Sequence, residues 1–323
     1  MAFAEACANI ALVKYWGKRE PSLNLPTAGS LSLTLERLRT ETEVELHDGA
    51  QDEVYLNGAP ADSNTAARVS RFVDIVRNEL GSSSRVRVAS ENRFPTASGL
   101  ASSASAFAAL AAATCHAFGW RLSESQLSSL ARRGSGSAAR SVFGGFVRMN
   151  PGTLDDGSDA FAEPVKSQLQ LSAAIATVTT GPKDVGSTQG MDHTRATSPY
   201  DAPWYLLVPL DLARCEAALR AGDFREVANV AEGNCLAMHA NAMAARPGLV
   251  YWQPATVALI HTVRRLRKDG LPVFFTIDAG PHVVAFCESD GLNTVVTALS
   301  QVPGVQDVLT SGPGPGVRVR DRR

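Results

Sequence analysis

The segment Pro95-Thr-Ala-Ser-Gly-Leu-Ala-Ser-Ser-Ala104 passes from small polar residues into an alanine-rich helix former. Backbone N–H groups around Gly99, the hydroxyls of Ser102 and Ser103 and the positive end of a helix dipole can converge there on one anion. No Gly-Lys-Ser/Thr follows, so it is not a Walker loop. A core helix merely capped by Ser102 or Ser103 accounts for the same residues. A second segment, Asn9-Ile-Ala-Leu-Val-Lys-Tyr-Trp-Gly-Lys-Arg19, ends an apolar strand with Lys14, Lys18 and Arg19 interleaved with Tyr15 and Trp16. Cations at that density suit a phosphate-bearing ligand, and Gly17 between Trp16 and Lys18 points to a shaped loop. The alternative is a solvated strand end whose aromatics pack on the domain.

Three further segments carry chemistry. From Ser125 to Leu154 there is no Asp or Glu, while Arg132, Arg133, Arg140 and Arg148 fall inside the stretch. Ser135-Gly-Ser137 ahead of Arg140 adds hydroxyls and backbone N–H donors, the partners of a diphosphate. Arg132 and Arg133 lie in the last turn of a helix, where dipole complementarity explains their charge. Lys183-Asp-Val-Gly-Ser-Thr-Gln-Gly-Met191 follows a strand and reads either as a ligand-closing loop or as an ordinary turn. Asp278 ends the apolar run Val273–Ile277 and precedes Ala-Gly-Pro281, so a carboxylate is delivered at the mouth of a buried strand. It is either a catalytic acid or base or the acceptor of an Asx-turn.

These segments need elements to position them. Leu31–Leu35, Thr42–Leu46 and Arg85–Ala89 alternate with period two, as half-buried antiparallel strands do. A helix starting at Ser63 puts Val69, Phe72, Val73 and Val76 on one face and stops at Gly81; another runs from Ser102 to Phe118 and is closed by Gly119. Ser123-Glu-Ser-Gln126 forms a capping box for a third, which ends at Gly134. Val142–Met149 reads as a strand, and 150–164, rich in Gly, Asp and Pro, as a surface loop. The strand Ala173–Val178 opens a second unit. Residues 199–269 are helical with Gly222, Pro247 and Pro254 as punctuation, strands Val273–Ile277 and Val283–Cys287 follow, and a last helix and strand end the chain around Ser311–Gly316.

A chain of 323 residues exceeds what one hydrophobic core usually serves, so two domains are expected, 1–168 and 169–323. Formal net charge is −1, which gathers neither nucleic acid nor an anionic membrane, so any anion must be held by local charge. Five cysteines without C-x-x-C spacing argue against a disulfide framework or a structural zinc. The opening Met-Ala-Phe-Ala-Glu-Ala-Cys has no basic-then-apolar pattern, and no apolar run reaches the roughly 20 residues that span a bilayer. A cytoplasmic protein is expected.

Taken in order, these segments resemble the diphosphomevalonate decarboxylases of the GHMP kinase superfamily. Pro95–Ala104 looks like the phosphate loop that the whole superfamily shares. Asn9–Arg19, Leu23-Asn-Leu-Pro26, Ser135–Arg140, Ser187-Thr-Gln-Gly-Met191 and Asp278–Pro281 are particular to the decarboxylases. The resemblance implies a two-domain α+β fold, with a ribosomal-protein-S5-like N-terminal domain, a ferredoxin-like C-terminal domain and the active site in the cleft between them. It also implies ATP with Mg²⁺, mevalonate 5-diphosphate as substrate, a homodimer, and no nucleic-acid or membrane partner. No metal ligand is singled out.

Carried onto this chain, the family's pattern makes Asp278, Arg140 and Asn9 the catalytic residues. Asp278 would orient or deprotonate the tertiary C3 hydroxyl, while Arg140 and Asn9 would hold the substrate's carboxylate end. The substrate would be bound by Tyr15, Trp16, Gly17, Lys18, Arg68, Ser135, Gly136, Ser137, Ala138, Ala139, Ser187 and Thr188, with Arg71 the alternative to Arg68. ATP phosphates would lie on Pro95, Gly99, Leu100, Ala101, Ser102 and Ser103. The chain departs from the family at Gly186, where serine is common, at Ser98, often alanine, and at Glu20, usually Asp. Gly186 keeps open a decarboxylase of the monophosphate or a mevalonate 3-kinase. From another class, a GHMP-fold regulator without turnover would be expected to lack the Asp or the loop serines, and neither is missing.

Overall fold

The computed structural model describes residues 1–94, 102–179 and 184–320. The first half opens with β1 (Ala2–Val13), β2 (Lys18–Glu20), β3 (Leu25–Pro26) and β4 (Ser30–His47), then β5 (Glu53–Leu56) and β6 (Ala59–Pro60). Helix α1 (Ser63–Leu80) is capped by Asp62, whose carboxylate accepts from the N–H groups of Asn64 and Thr65, and it stops at Gly81 in the left-handed region. After β7 (Arg85–Asn92) come α2 (Ser102–Ala117) and α3 (Glu124–Gly134), the latter with the Ser123/Gln126 capping box formed. A 3₁₀ helix, Gly136–Val142, leads into β8 (Phe146–Met149) and β9 (Ala162–Pro164).

The second half begins with β10 (Ser172–Thr177) and continues through α4 (Ser187–Thr197), α5 (Asp201–Ala221), α6 (Phe224–Met243) and α7 (Pro254–Lys268). It ends with β11 (Val273–Thr276), β12 (Val283–Cys287), α8 (Leu292–Ser300), β13 (Asp307–Ser311) and β14 (Arg318–Arg320). Strand β14 pairs antiparallel with β1, so the chain's last strand returns to the first sheet.

Two expected strands, Leu31–Leu35 and Thr42–Leu46, are parts of one, β4. Both ends of β4 pair with β1, and the register jumps between Cys7 and Asn9, so that residues 35–38 of β4 face Ala8. That bulge carries the exposed Glu36 and Arg37, which break the alternation in sequence. The strand expected over Val142–Met149 is shorter, because Val142 ends the 3₁₀ helix and Gly145 turns at φ 66° before Phe146. The loop 150–164 closes in β9. Of the segment 183–191, read as a loop or turn, residues 187–191 form the start of α4.

The first sheet runs β14-β1-β4-β7-β5-β6, with β8 joined to β4 and β9 to β8; its pairs are antiparallel except β5 with β7. The second runs β11-β12-β10-β13, all antiparallel. Helix α2 packs on one face of the first sheet, and its run of alanines lets it lie close: Ala104, Ala108, Ala109, Ala111 and Ala113 are fully buried. On the other side, Ile10, Leu12, Leu31 and Leu33 share a core with Trp204 and Val208 of α5, Val227 and Met238 of α6, and Phe274 and Phe286 of the second sheet. One continuous apolar core therefore ties the two halves together. Among the described residues no helix is long and apolar enough to cross a membrane.

Candidate active site

A cleft of about 860 Å³ opens where the end of β1, the N-terminus of α2, the 3₁₀ helix, α4 and the β11–β12 turn converge. Its described lining carries the cations Lys14, Lys18, Arg68, Arg71, Arg133 and Arg140 and a single carboxylate, Asp278. In a chain of net charge −1 this is concentrated positive potential, built for a polyanion.

The carboxylate is not alone. Lys14 Nζ lies 2.6 Å from Asp278 Oδ1 and donates again to the carbonyl of Ala11 at 2.8 Å. The ammonium is 2% exposed while the carboxylate, at 28%, still faces the cleft. Asp278 reaches this position because β11 ends at Thr276 and the chain turns tightly, with Gly280 N–H donating to the Asp278 carbonyl at 2.6 Å. Thr276 Oγ1 donates to Ala11 O at 3.1 Å, which fixes the strand end against β1.

Arg140 lies wholly inside the wall. Its Nε donates to Asn9 Oδ1 at 3.2 Å and Ser32 Oγ at 2.9 Å, and its Nη1 to Ser30 Oγ. Asn9 in turn donates to Ser137 O at 3.0 Å and Ser141 Oγ at 2.8 Å. Among the described residues no carboxylate comes within 4.0 Å of the guanidinium, so it is a buried, oriented cation held by neutral partners. Burial lowers it to about 10 while Asp278 and Tyr15 oppose the shift, so it stays charged at neutral pH. A buried cation without a counterion is costly unless an anion arrives.

The wall facing the second half is hydroxyl-rich. Ser103, Ser135 and Ser137 form a chain of hydroxyls, 3.2 Å and 3.3 Å between successive oxygens. Tyr15 lies against Gly136, where a Cβ would come within 2.4 Å of the phenol oxygen, so glycine is needed for the ring to lie on the loop. Burial pushes the Tyr15 hydroxyl up, and among the described residues its oxygen has no hydrogen-bond partner. Lys18 and Arg68 are both pulled down by burial. Arg68 is fixed by a 2.9 Å bond to Gly134 O and by its stacking 4.5 Å over the Phe107 ring. Arg71 lines the cleft as well, so α1 presents both arginines. Ser187 and Thr188 enter from the first turn of α4, which is anchored by Arg195 bonding to the Lys18 carbonyl.

Of the residues singled out in sequence, Asn9, Tyr15, Trp16, Lys18, Arg68, Ser102, Ser103, Ser135, Gly136, Ser137, Arg140, Ser187, Thr188 and Asp278 line this one cleft. Gly17, Ala138 and Ala139 do not. Gly17 sits at φ 121°, where a Cβ would strike the Tyr205 hydroxyl, and the two alanines are on the buried side of the 3₁₀ helix. Pro95, Gly99, Leu100 and Ala101 lie outside the described residues. Lys14 was visible only as part of a dense group of cations; its pairing with Asp278 had no signal in sequence. Asn24, which donates to Arg133 O at 2.8 Å, is a further lining residue.

A family model described as the diphosphomevalonate decarboxylase-like N-terminal domain matches residues 6–162, and one described as the mevalonate 5-diphosphate decarboxylase C-terminal domain matches 173–312. The diphosphomevalonate decarboxylase of Aspergillus fumigatus is 36% identical, over 97% of this chain and 83% of its own length. The chain belongs to the diphosphomevalonate decarboxylase family. Among solved members, the mevalonate diphosphate decarboxylase of Staphylococcus aureus superposes with a TM-score of 0.94 at 37% identity, covering 99% of this chain and 98% of that one. A structure described as MDDEF in complex with MVAPP, AMPPCP and magnesium gives 0.94 at 38% identity, covering 99% of both chains. The two-domain α+β fold of this chain is the fold of these family members.

Proposed function

We propose that this protein carries out the ATP-dependent decarboxylation of mevalonate 5-diphosphate to isopentenyl diphosphate, in the mevalonate route to isoprenoids. One observation carries the reading: the Lys14–Asp278 pair and the Arg140–Asn9 pair meet in a cleft whose remaining polar lining is rich in cations and hydroxyls. Family membership over nearly the whole chain supports it. The described part of the N-terminal domain, taken as 1–168, supplies Arg140, Asn9 and the hydroxyl chain; the C-terminal domain, 169–323, supplies Asp278 and α4.

A tertiary alcohol is a poor nucleophile and hydroxide a poor leaving group, so the C3 hydroxyl must be phosphorylated before it can depart. Asp278 takes or aligns the hydroxyl proton while the γ-phosphoryl group transfers to the C3 oxygen. The C3–O bond then breaks with loss of phosphate. The electrons of the bond to the carboxylate form the new double bond, and carbon dioxide leaves. Arg140 and Asn9 hold that carboxylate end, and the preorganised cation stabilises it without reorganisation. Tyr15, Lys18, Ser135, Gly136, Ser137, Ser187, Thr188 and one or both of Arg68 and Arg71 grip the 5-diphosphate. Ser102 and Ser103 face the nucleotide phosphates.

Among the described residues no three His, Cys, Asp or Glu side chains cluster to hold a metal ion. That suits magnesium carried on a nucleotide, since Mg²⁺ takes most of its ligands from phosphates and water. The Ser102 and Ser103 hydroxyls and the Asp278 carboxylate are oxygens in the cleft that could complete its shell. Bound there, it would neutralise phosphate charge.

The test is incubation with Mg-ATP and mevalonate, its 5-phosphate or its 5-diphosphate, with ADP and carbon dioxide measured together. The 5-diphosphate is expected to yield both; ADP without carbon dioxide from every substrate would sink the reading. A monophosphate substrate is the second possibility, favoured by one feature: Gly186, which opens α4, offers no hydroxyl. A cytoplasmic homodimer is the form we read for the protein, the dimer being checked by sedimentation velocity.

A further inference from the structure

Several buried polar side chains with no part in the chemistry above gather on α6, against the backbone on both sides of the Lys14–Asp278 pair. The Lys14 backbone N–H donates to Asn234 Oδ1 at 2.7 Å, and Asn234 Nδ2 donates to Asp211 Oδ2, on α5, at 2.9 Å. One residue further along α6, Cys235 Sγ accepts from the N–H of Ile277 at 3.1 Å. A turn later, His239 Nε2 reaches the Ile277 carbonyl at 3.3 Å. Ile277 immediately precedes Asp278. Two charges 264 positions apart thus meet because one helix holds the backbone at Lys14 and the backbone next to Asp278.

The order of atoms in this relay is forced. An ionised carboxylate only accepts, so Asn234 must turn its NH₂ toward Asp211 and its carbonyl toward the Lys14 N–H. Without Asp211 the amide could flip and present donor to donor, leaving the Lys14 N–H unpaired in a dry site. The site is dry: Asp211 is 5% exposed and Asn234 fully buried. Burial raises the Asp211 carboxyl above its ordinary value, and the bond from Asn234 offsets only part of that shift.

We propose that Asp211 and Asn234 are positioning residues for the Asp278 end of the site. Asp211 orients the Asn234 amide, Asn234 sets the Lys14 backbone beyond β1, and Lys14 so set aims its ammonium at Asp278. Neither residue lines the cleft, so neither touches substrate. The proposal rests on the decarboxylase reading above.

The full chain is tested, with kcat counted per binding-competent site by calorimetric titration. Asn234→Ala and Asp211→Asn each lower kcat at least tenfold. KM for mevalonate 5-diphosphate stays within threefold of the parent, because Lys18, Ser135 and Ser187 are mounted on other elements. A merely structural role would lower Tm without this split. The exchange variant, Asp211→Asn together with Asn234→Asp, trades amide and carboxylate but keeps an acceptor facing Lys14, and it recovers at least a third of the parent kcat. A readout independent of turnover is the Nζ–H correlation of the buried Lys14 ammonium in ¹⁵N-lysine protein, identified by its loss in Lys14→Met. It is retained in the exchange variant and shifted or lost in Asn234→Ala. A parent that releases no carbon dioxide would count against the functional reading, while this correlation would still judge the relay. An unchanged correlation or a kcat within twofold of the parent in Asn234→Ala overturns the proposal. If the single variants fail to fold, the exchange variant decides, and its failure to recover turnover overturns it equally.

Discussion

Asp278 and Arg140 are suited to different work because their surroundings differ. Asp278 faces the cleft with one oxygen on the Lys14 ammonium, whereas Arg140 reaches the cleft wall from a buried position held by Ser30, Ser32 and Asn9. Replacing Asp278 by Asn keeps the shape but removes the charge proposed to orient the C3 hydroxyl. Carbon dioxide release is expected to fall by about 10³-fold, a typical magnitude for a lost acid–base group, with KM near the parent value. A variant with near-normal kcat would remove Asp278 from the mechanism. The same change strands the buried Lys14 charge, so thermal stability should drop as well. Arg140→Lys keeps the charge but not the planar fork that Ser30, Ser32 and Asn9 hold. A loss of about 10²-fold in kcat is expected from steady-state assays, because preorganisation rather than charge alone is removed.

At the scale of elements, α4 shows why a site can be half visible in sequence. Ser187-Thr-Gln-Gly190 looks like a loop because glycine disfavours a helix interior. Gly190 is nonetheless where α4 seats on the aromatic wall: a Cβ there would come within 2.3 Å of the Tyr251 hydroxyl and 3.2 Å of the Trp16 ring. That close approach, which places Ser187 and Thr188 at the cleft, depends on residues distant in sequence. Gly186, by contrast, has open space around it and an ordinary φ of −68°, and no side chain caps the helix it opens. Gly186→Ser should therefore fit without strain and stabilise the helix by a few tenths of a kcal/mol, about the Gly-to-Ser difference at an N-cap. If position 186 contacts the diphosphate, the added hydroxyl lowers KM for mevalonate 5-diphosphate about threefold, the worth of one modest hydrogen bond. An unchanged KM for the 5-diphosphate would place that group elsewhere. The elements whose signals are local were read correctly: the Gly81 stop of α1 and the Ser123 capping box of α3 are both formed.

Across the whole molecule, the two halves are joined through a core that includes a titratable group. His239 is 1% exposed on α6, its ring 5.0 Å from that of Trp252, and burial, aided by nearby Lys14, pulls it down to about 4 from an ordinary 6.5. The folded protein needs this imidazole neutral, while the unfolded chain protonates it near pH 6.5. Its stabilising effect is complete above that pH and is lost as pH falls toward 4, by up to roughly 3 kcal/mol. Calorimetry should show Tm falling between pH 7.5 and pH 5 with a slope that His239→Gln reduces; an equal slope in the variant would assign the acid sensitivity to other groups.

The sequence alone determined what depends on short-range order: which segments concentrate cations, hydroxyls and glycine, the helix caps and stops, the mainly antiparallel first sheet, and the family, whose motifs are contiguous runs. Only the tertiary structure decided how those runs combine. Period-two patterns cannot reveal that β4 continues through a bulge against β1, because pairing is a property of two strands. Nor could they show that Arg140 is buried between the β1 amide of Asn9 and the β4 hydroxyls of Ser30 and Ser32, or that Lys14 and Asp278 are one ion pair. Those contacts join positions more than a hundred residues apart, and they form only when a common core brings the two sheets and α6 together.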